Sequence, residues 1–201
     1  VDDGQVSVED LEYVVVAFEK AVKSGKIRYW GFNGLGETDA IKSAVNLYSP
    51  SGIHTCYNML NPTSGYSVND TFPYQNYGEL LNECTKKGIG TVGIRILAGG
   101  ALSGTPDRHP LALQEVAPIA TGGTYQEDVD RTVAYKFLIN EGFVGNLAEA
   151  AVRFAISNTN LSTALIGLSN FDQIQKAIDF VNKGPLPGEA LDKIRNLWSA
   201  S

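Results

Sequence analysis

The sequence predicts a parallel α/β fold. Three observations carry that reading: four short apolar segments recur along the chain, each leads into a stretch with helical hydrophobic spacing, and glycine closes several of those stretches. Apolar strands that alternate with helices belong in a parallel sheet covered by helices, and right-handed crossovers leave an open doubly wound sheet or a section of a barrel. A complete eight-stranded barrel takes about 250 residues. With 201 residues and four strands, the barrel alternative means half of a (β/α)8 barrel as a single partial domain spanning 1–201. Half a barrel exposes two sheet edges and an apolar inner face, which predicts self-association through those edges or a covering segment.

Taken in order, Ser7 and Asp10 form a capping-box pattern, and Leu11, Val14, Val15, Phe18, Ala21 and Val22 then recur at helical spacing until Gly25. Residues 27–32 read as a strand, Gly34-Leu35-Gly36 as a turn, and 38–47 as a helix capped by the Thr38 hydroxyl. Residues 53–57 form the second strand. A polar loop with Pro62, Gly65 and Pro73 leads to a helix over 74–87, closed by Gly88. The third strand, 91–96, is apolar except for Arg95 and runs into Leu97-Ala98-Gly99-Gly100, followed by a Gly/Pro-rich stretch to about Gly123. Long loops inside a compact domain are usually functional or mobile. Helices over 125–140 and 147–157, a fourth strand over 163–166, and helices over 170–182 and 187–198 complete the chain.

Composition narrows the function classes. A hydrophobic fraction of 43% and a charged fraction of 19% are those of an ordinary folded protein. The net charge of −6, with the acids spread along the chain, offers no basic surface for nucleic acid or an anionic membrane. Cys56 and Cys84 are too few and too far apart for a disulfide framework or a zinc site, which suits a reducing cytoplasm. No apolar run approaches the roughly 20 residues of a membrane span, and Val1-Asp2-Asp3-Gly4 has no signal pattern. The lack of an initiator Met reads as a piece of something longer.

Four motifs, in order, carry a family resemblance. Ser24-Gly25-Lys26-Ile27-Arg28-Tyr29-Trp30-Gly31-Phe32 resembles the "SGKIRYIGVSN" passage into the fifth barrel strand of aldo-keto reductases. Tyr57-Asn58-Met59-Leu60-Asn61 is similar to "YNLLNR" after the sixth strand, and the segment from Gly88 to Gly104 to "GIGVIAYSPLAGGLLTG" at the seventh. The segments from Ala151 to Ser157 and from Ser162 to Asn170 resemble "ALRWVLSNP" and "STVIPGASN" around the eighth. The resemblance implies strands five to eight of an NADP(H)-dependent barrel that reduces aldehydes and ketones to alcohols.

Candidate site residues follow from both lines. A dinucleotide pyrophosphate needs closely approaching backbone N–H donors, which Leu97, Gly99 and Gly100 would supply at the end of the third strand; the alternative is a simple loop turn. By resemblance, Gly167, Ser169, Asn170 and Gln173 match the adenosine-phosphate loop, while Ser169 or Asn170 also suits an ordinary helix cap. Asn33-Gly34 and His54 stand where the family has Ser-Asn and Gln on the nicotinamide amide, and Ile94 stands where a Tyr stacks on the ring. Asn33 and His54 retain hydrogen-bonding capacity for an amide, although an inward histidine is as often structural. Lys176 and Ala177 replace the family's Glu and Asn in the last adenine-binding helix, and Lys176 is either a 2′-phosphate partner or a solvated lysine. Arg95 faces phosphate or substrate, or pairs with a nearby carboxylate.

The family's proton-donor Tyr and its Asp, Lys and His partners belong to the first four strands. None of those motifs occurs here, so no catalytic residue is assigned. The competing functional class is a non-enzymatic half-barrel that binds cofactor or self-associates.

Overall fold

The computed structural model describes residues 7–199. Its elements are α1 (Val8–Lys23), β1 (Gly31–Asn33), α2 (Thr38–Tyr48), β2 (Gly52–Cys56), α3 (Leu80–Lys86), β3 (Gly90–Ile94), α4 (Tyr125–Arg131), α5 (Phe137–Asn140), α6 (Leu147–Ile156), β4 (Thr163–Ala164), α7 (Phe171–Asn182) and α8 (Gly188–Ser199). Short 3₁₀ turns cover Ala98–Ser103 and Thr132–Tyr135. The four strands form one sheet in the order β1-β2-β3-β4, parallel throughout, which is the alternating parallel α/β fold.

Register divides the sheet into two unlike faces, because successive side chains point to opposite sides. Ile53 stands beside Phe32 and Thr91, and Ile53 packs with Ile41 and Val45 of α2 and with Leu80 and Cys84 of α3. That face is the helix-covered one. Asn33, His54, Val92 and Thr163 are aligned on the other face, where Asn33, His54 and Thr163 are exposed and Val92 is half-buried. The larger core lies beyond the carboxyl ends of the strands, where Tyr57, Met59, Leu60, Leu102, Leu138, Phe154, Ile194 and Trp198 pack together.

Several boundaries differ from expectation, each for a local reason. Glu37, not Thr38, is the N-cap of α2, and the Thr38 hydroxyl donates instead to the Asn76 carbonyl at 2.9 Å. The helix expected over 74–87 begins only at Leu80. Upstream, Asn61 Nδ2 and Thr63 Oγ1 take the Gln75 carbonyl, and Gly78 and Glu79 both have positive φ, so no helical turn can propagate there. The helix expected over 125–140 is broken into α4, a 3₁₀ turn and α5; at the first break the Thr132 hydroxyl takes the Val129 carbonyl at 2.6 Å. Strand β3 ends at Ile94 because Arg95 adopts φ 58°, which turns the chain out of the sheet. The first strand is likewise confined to three residues, Gly31–Asn33.

Ser7 caps α1, its Oγ accepting from the Asp10 amide at 3.0 Å, while the Asp10 carboxylate accepts from the Ser7 hydroxyl at 2.9 Å. Of the apolar stripe of α1 Leu11 is buried, Val15, Ala21 and Val22 are half-buried, and Val14 and Phe18 are exposed. Phe18 stacks on Trp30 at 5.9 Å, and Trp30 Nε1 donates to Glu19 at 2.7 Å, which ties α1 to the chain entering β1.

Candidate functional site

The carboxyl ends of parallel strands are where such folds bind ligands, because the following loops and helix N-termini converge there. Three segments meet at that end: the loop after β2, the turn after β3 and the start of α7. Asn58 pins the first to the second. Its Oδ1 accepts from the Leu60 and Asn61 amides, both at 2.9 Å, while its Nδ2 donates to the Arg95 carbonyl at 2.9 Å. Asn61 Nδ2 also donates to the Ala120 carbonyl, fixing the far end of the long loop.

The turn after β3 is built on glycine. Gly99 at φ 69° and Gly100 at φ 113° lie in the left-handed region, and a Cβ on Gly99 would meet Val116 at 2.7 Å and the Arg95 guanidinium at 2.9 Å. The Leu97 carbonyl accepts from Gly100 at 2.8 Å and Leu102 at 3.1 Å, which tightens the turn. Arg95 therefore sets its guanidinium against the glycine turn, and among the described residues it is in no ion pair.

Arg108 closes the long loop onto this turn. Its Nη1 donates to the Gly99 carbonyl at 2.8 Å, its Nε to the Leu113 carbonyl at 2.6 Å, and its guanidinium lies 5.0 Å from the Tyr125 ring centre. The adjoining His109 reaches across to α7, with Nε2 3.1 Å from Asn170 Nδ2. With the Arg108 bond to Gly99, this contact ties the long loop to both the glycine turn and the α7 N-terminus. At the other end of the loop Thr121 donates to buried Asp128, whose pKa is raised by burial against the opposing Thr121 bond and Arg131 charge.

Asn170 serves as the N-cap of α7, accepting the Gln173 amide at 2.9 Å, and Gln173 Oε1 accepts the Ser169 amide at 2.7 Å. Both predicted residues thus have structural partners of their own, which engage the Ser169 and Gln173 amides. Gly167 is exposed with open space where a Cβ would sit. Lys176 lies one turn further along α7, exposed and in no ion pair among the described residues. Gly34 has a reason within the chain: its amide donates to the His54 carbonyl at 2.8 Å, and a Cβ would press on that oxygen at 2.6 Å.

Asn33 and His54 stand side by side in register on the open face, and among the described residues neither side chain forms a hydrogen bond. They are thus available to a ligand, but on the open sheet face rather than against the glycine turn. Arg108, His109 and Asn58 were not legible as site residues. His109 lies in a Gly/Pro-rich stretch without periodicity, and only the fold shows that the stretch crosses to α7.

A family model described as the aldo/keto reductase family matches residues 3–199. The chain belongs to the aldo/keto reductase family. A curated relative, named "Putative voltage-gated potassium channel subunit beta" from Schizosaccharomyces pombe, is 30% identical over 197 residues, covering 92% of this chain and 54% of the relative. Among solved structures, an aldo-keto reductase from Bacillus halodurans in its apo form matches with a TM-score of 0.67 and 22% identity, over 98% of this chain and 60% of that one. Its holo form matches equally well, at a TM-score of 0.67 over 98% and 59%. The chain therefore spans little more than half the length of the proteins it matches. Among the described residues no helix is long and apolar enough to cross a membrane, and no group of three or more His, Cys, Asp or Glu is disposed to hold a metal ion.

Proposed function

We propose that this chain is the cofactor-holding half of an NADP(H)-dependent carbonyl reductase: half of a (β/α)8 barrel that binds the dinucleotide but lacks the residues that reduce the substrate. The observation that supports it is the pair of contacts from Arg108 to the Gly99 carbonyl and from His109 to Asn170, by which one loop holds both the glycine turn and the α7 N-terminus. The phosphate end fits the residues present. The Arg95 guanidinium, set beside the left-handed turn at Gly99 and Gly100 and in no ion pair among the described residues, supplies positive charge for a pyrophosphate.

At the other end, Asn33 and His54 would hold a carboxamide through their free hydrogen-bonding groups. Lys176 would contribute a cation near a 2′-phosphate. NADPH supplies hydride when bound, and the chain's part is to orient the dinucleotide and exclude water with the 105–114 loop held by Arg108. Protonation of a forming alkoxide needs a positioned acid, and no described side chain is assigned that role. The carbonyl substrate and its proton donor belong to the complementary half.

Fluorescence titration tests the reading. Saturable binding of NADPH, tighter than NADH and weakened about tenfold or more by Arg95→Ala, is expected from the loss of a charge-assisted contact. Equal, weak response to both nucleotides, unchanged in Arg95→Ala, would overturn it.

A further inference from the structure

We propose that the surface between the loop after β2 and α8 is a docking groove for an extended, proline-containing peptide that carries an acidic residue. The groove is separate from the candidate cofactor site, because none of its lining residues belongs to the glycine turn, the 105–114 loop or α7.

Two cavities make up the groove, and Trp198 lines both. The first, about 400 Å³, is bounded by Tyr66, Ser67, Arg195 and Ser199. The second, about 250 Å³, has Phe72, Pro73, Tyr74, Arg131 and Tyr135 among its walls. Tyr66, Phe72 and Tyr74 are rings on an irregular loop, each only half-buried. Aromatic side chains that present an apolar face beside a polar tip are those that collect at interfaces.

Contacts within the chain hold these rings in place. Trp198 Nε1 donates to the Met59 carbonyl at 3.0 Å and to the Tyr135 hydroxyl oxygen at 3.2 Å, which fixes the indole as the wall between the cavities. Tyr66 packs against Trp198 with ring centres 5.3 Å apart, and Phe72 meets Tyr74 edge-on at 5.4 Å. Walls already held lose little conformational entropy when a ligand arrives. An open groove of fixed aromatic rings suits a polyproline II segment, whose backbone is extended before it binds and whose proline rings lie against aromatic ones. A small ligand would fill one cavity and leave the other to water.

Charge supplies the acidic residue and the direction of the peptide. The charged side chains lining the two cavities are Arg131 and Arg195, with no Asp or Glu among them, although the chain carries a net charge of −6. The two arginines differ. Arg131 lies 4.0 Å from the Tyr74 ring centre, and its Nη1 and Nη2 are engaged by Asp128 at 3.4 Å and the Leu60 carbonyl at 2.9 Å. Arg195 lies 5.2 Å from the Tyr66 ring centre and pairs through Nη1 with Asp192 at 2.6 Å, while its Nε and Nη2 form no hydrogen bond among the described residues. Asp192 is 69% exposed, so water screens that pair. The free edge of the Arg195 fork therefore takes a carboxylate in the first cavity, and proline rings fill the second against Tyr74 and Trp198.

The probe is a labelled peptide, acetyl-Glu-Glu-Leu-Pro-Pro-Leu-Pro-amide, titrated with the 201-residue chain while fluorescence anisotropy is followed. Saturable binding is expected, weakened about tenfold or more by Arg195→Gln in the first cavity and by Ala134→Tyr, which fills the second. Both positions are exposed, so circular dichroism should be retained, and the NADPH titration of each variant should match that of the wild type. Replacing the peptide's glutamates by glutamines should weaken its binding to the wild type about tenfold but to Arg195→Gln by less than about twofold, which ties the acid to that guanidinium. No saturable binding, or binding that neither variant changes, overturns the proposal. So does equal affinity for a peptide with lysines in place of the glutamates. Benzoate that binds as tightly as the peptide, displaces it and is indifferent to Ala134→Tyr would make the first cavity a site for small aromatic acids and would also overturn it.

Discussion

Replacing Arg153 by Met tests how the two ends of the helix layer are held together. Arg153 is buried on α6, and its guanidinium donates to the Gly184 carbonyl at 2.9 Å, the Phe143 carbonyl at 3.0 Å, the Pro185 carbonyl at 3.1 Å and Glu149 Oε1 at 3.0 Å. Glu149 is 2% exposed and also receives Lys183 at 2.7 Å. Met keeps the aliphatic packing but leaves a buried carboxylate with one cation that is itself half-exposed. Removing one member of a buried pair costs about 3–5 kcal/mol, and the remaining Lys183 contact argues for the lower end. At roughly 2–4 °C per kcal/mol for a chain of this size, the expected fall in Tm is about 6–12 °C.

The same variant has a signature in pH. Burial alone would raise the Glu149 pKa, but the bonds from Lys183, Gly145 and Arg153 and the Lys183 charge outweigh it and hold the carboxyl below its ordinary value. A carboxyl depressed in the folded state stabilises above the unfolded value, near 4.3, and that contribution is lost as pH falls through the folded value. In Arg153→Met the folded value rises, so less of the contribution remains and its loss moves to higher pH. Thermal melts between pH 3 and 7 read both effects. A Tm change under about 2 °C, with an unshifted acid limb, would mean that water replaces the guanidinium and that the network is not a staple.

Other outcomes are equally specific. Gly31→Ala forces a Cβ to 2.2 Å from the Gly52 carbonyl, so a loss of about 2 kcal/mol or more is expected in denaturant melts, whereas Gly90→Ala should be milder. Arg108→Ala removes the bonds to Gly99 and Leu113 and should speed limited proteolysis within 105–114 about tenfold; an unchanged cleavage rate would contradict the loop assignment. Burial pushes the Cys56 thiol up to about 12 and the Cys84 thiol to about 11, so neither should react with a thiol reagent at pH 8 until the chain unfolds.

Element type was legible where periodicity and caps were clear. Ser7 and Asn170 are N-caps in the structure, and the parallel pairing follows from apolar strands alternating with helices. Boundaries failed where side chains captured backbone carbonyls, as Asn61 and Thr63 do at Gln75 and Thr132 does at Val129. Those contacts join residues distant in sequence or depend on one rotamer, and no local propensity encodes them. The glycine turn could be found from its composition. Its closure by Arg108 and His109 could not, because the path of a long irregular loop is set by tertiary contacts.

A direct test of the central claim mixes the purified 201-residue chain with NADPH and a simple aldehyde, following cofactor fluorescence for binding and absorbance for consumption. The account predicts saturable binding with no consumption of NADPH above the rate without protein. Steady aldehyde-dependent oxidation of NADPH, abolished by Arg95→Ala, would contradict it by placing a complete reductase within these residues.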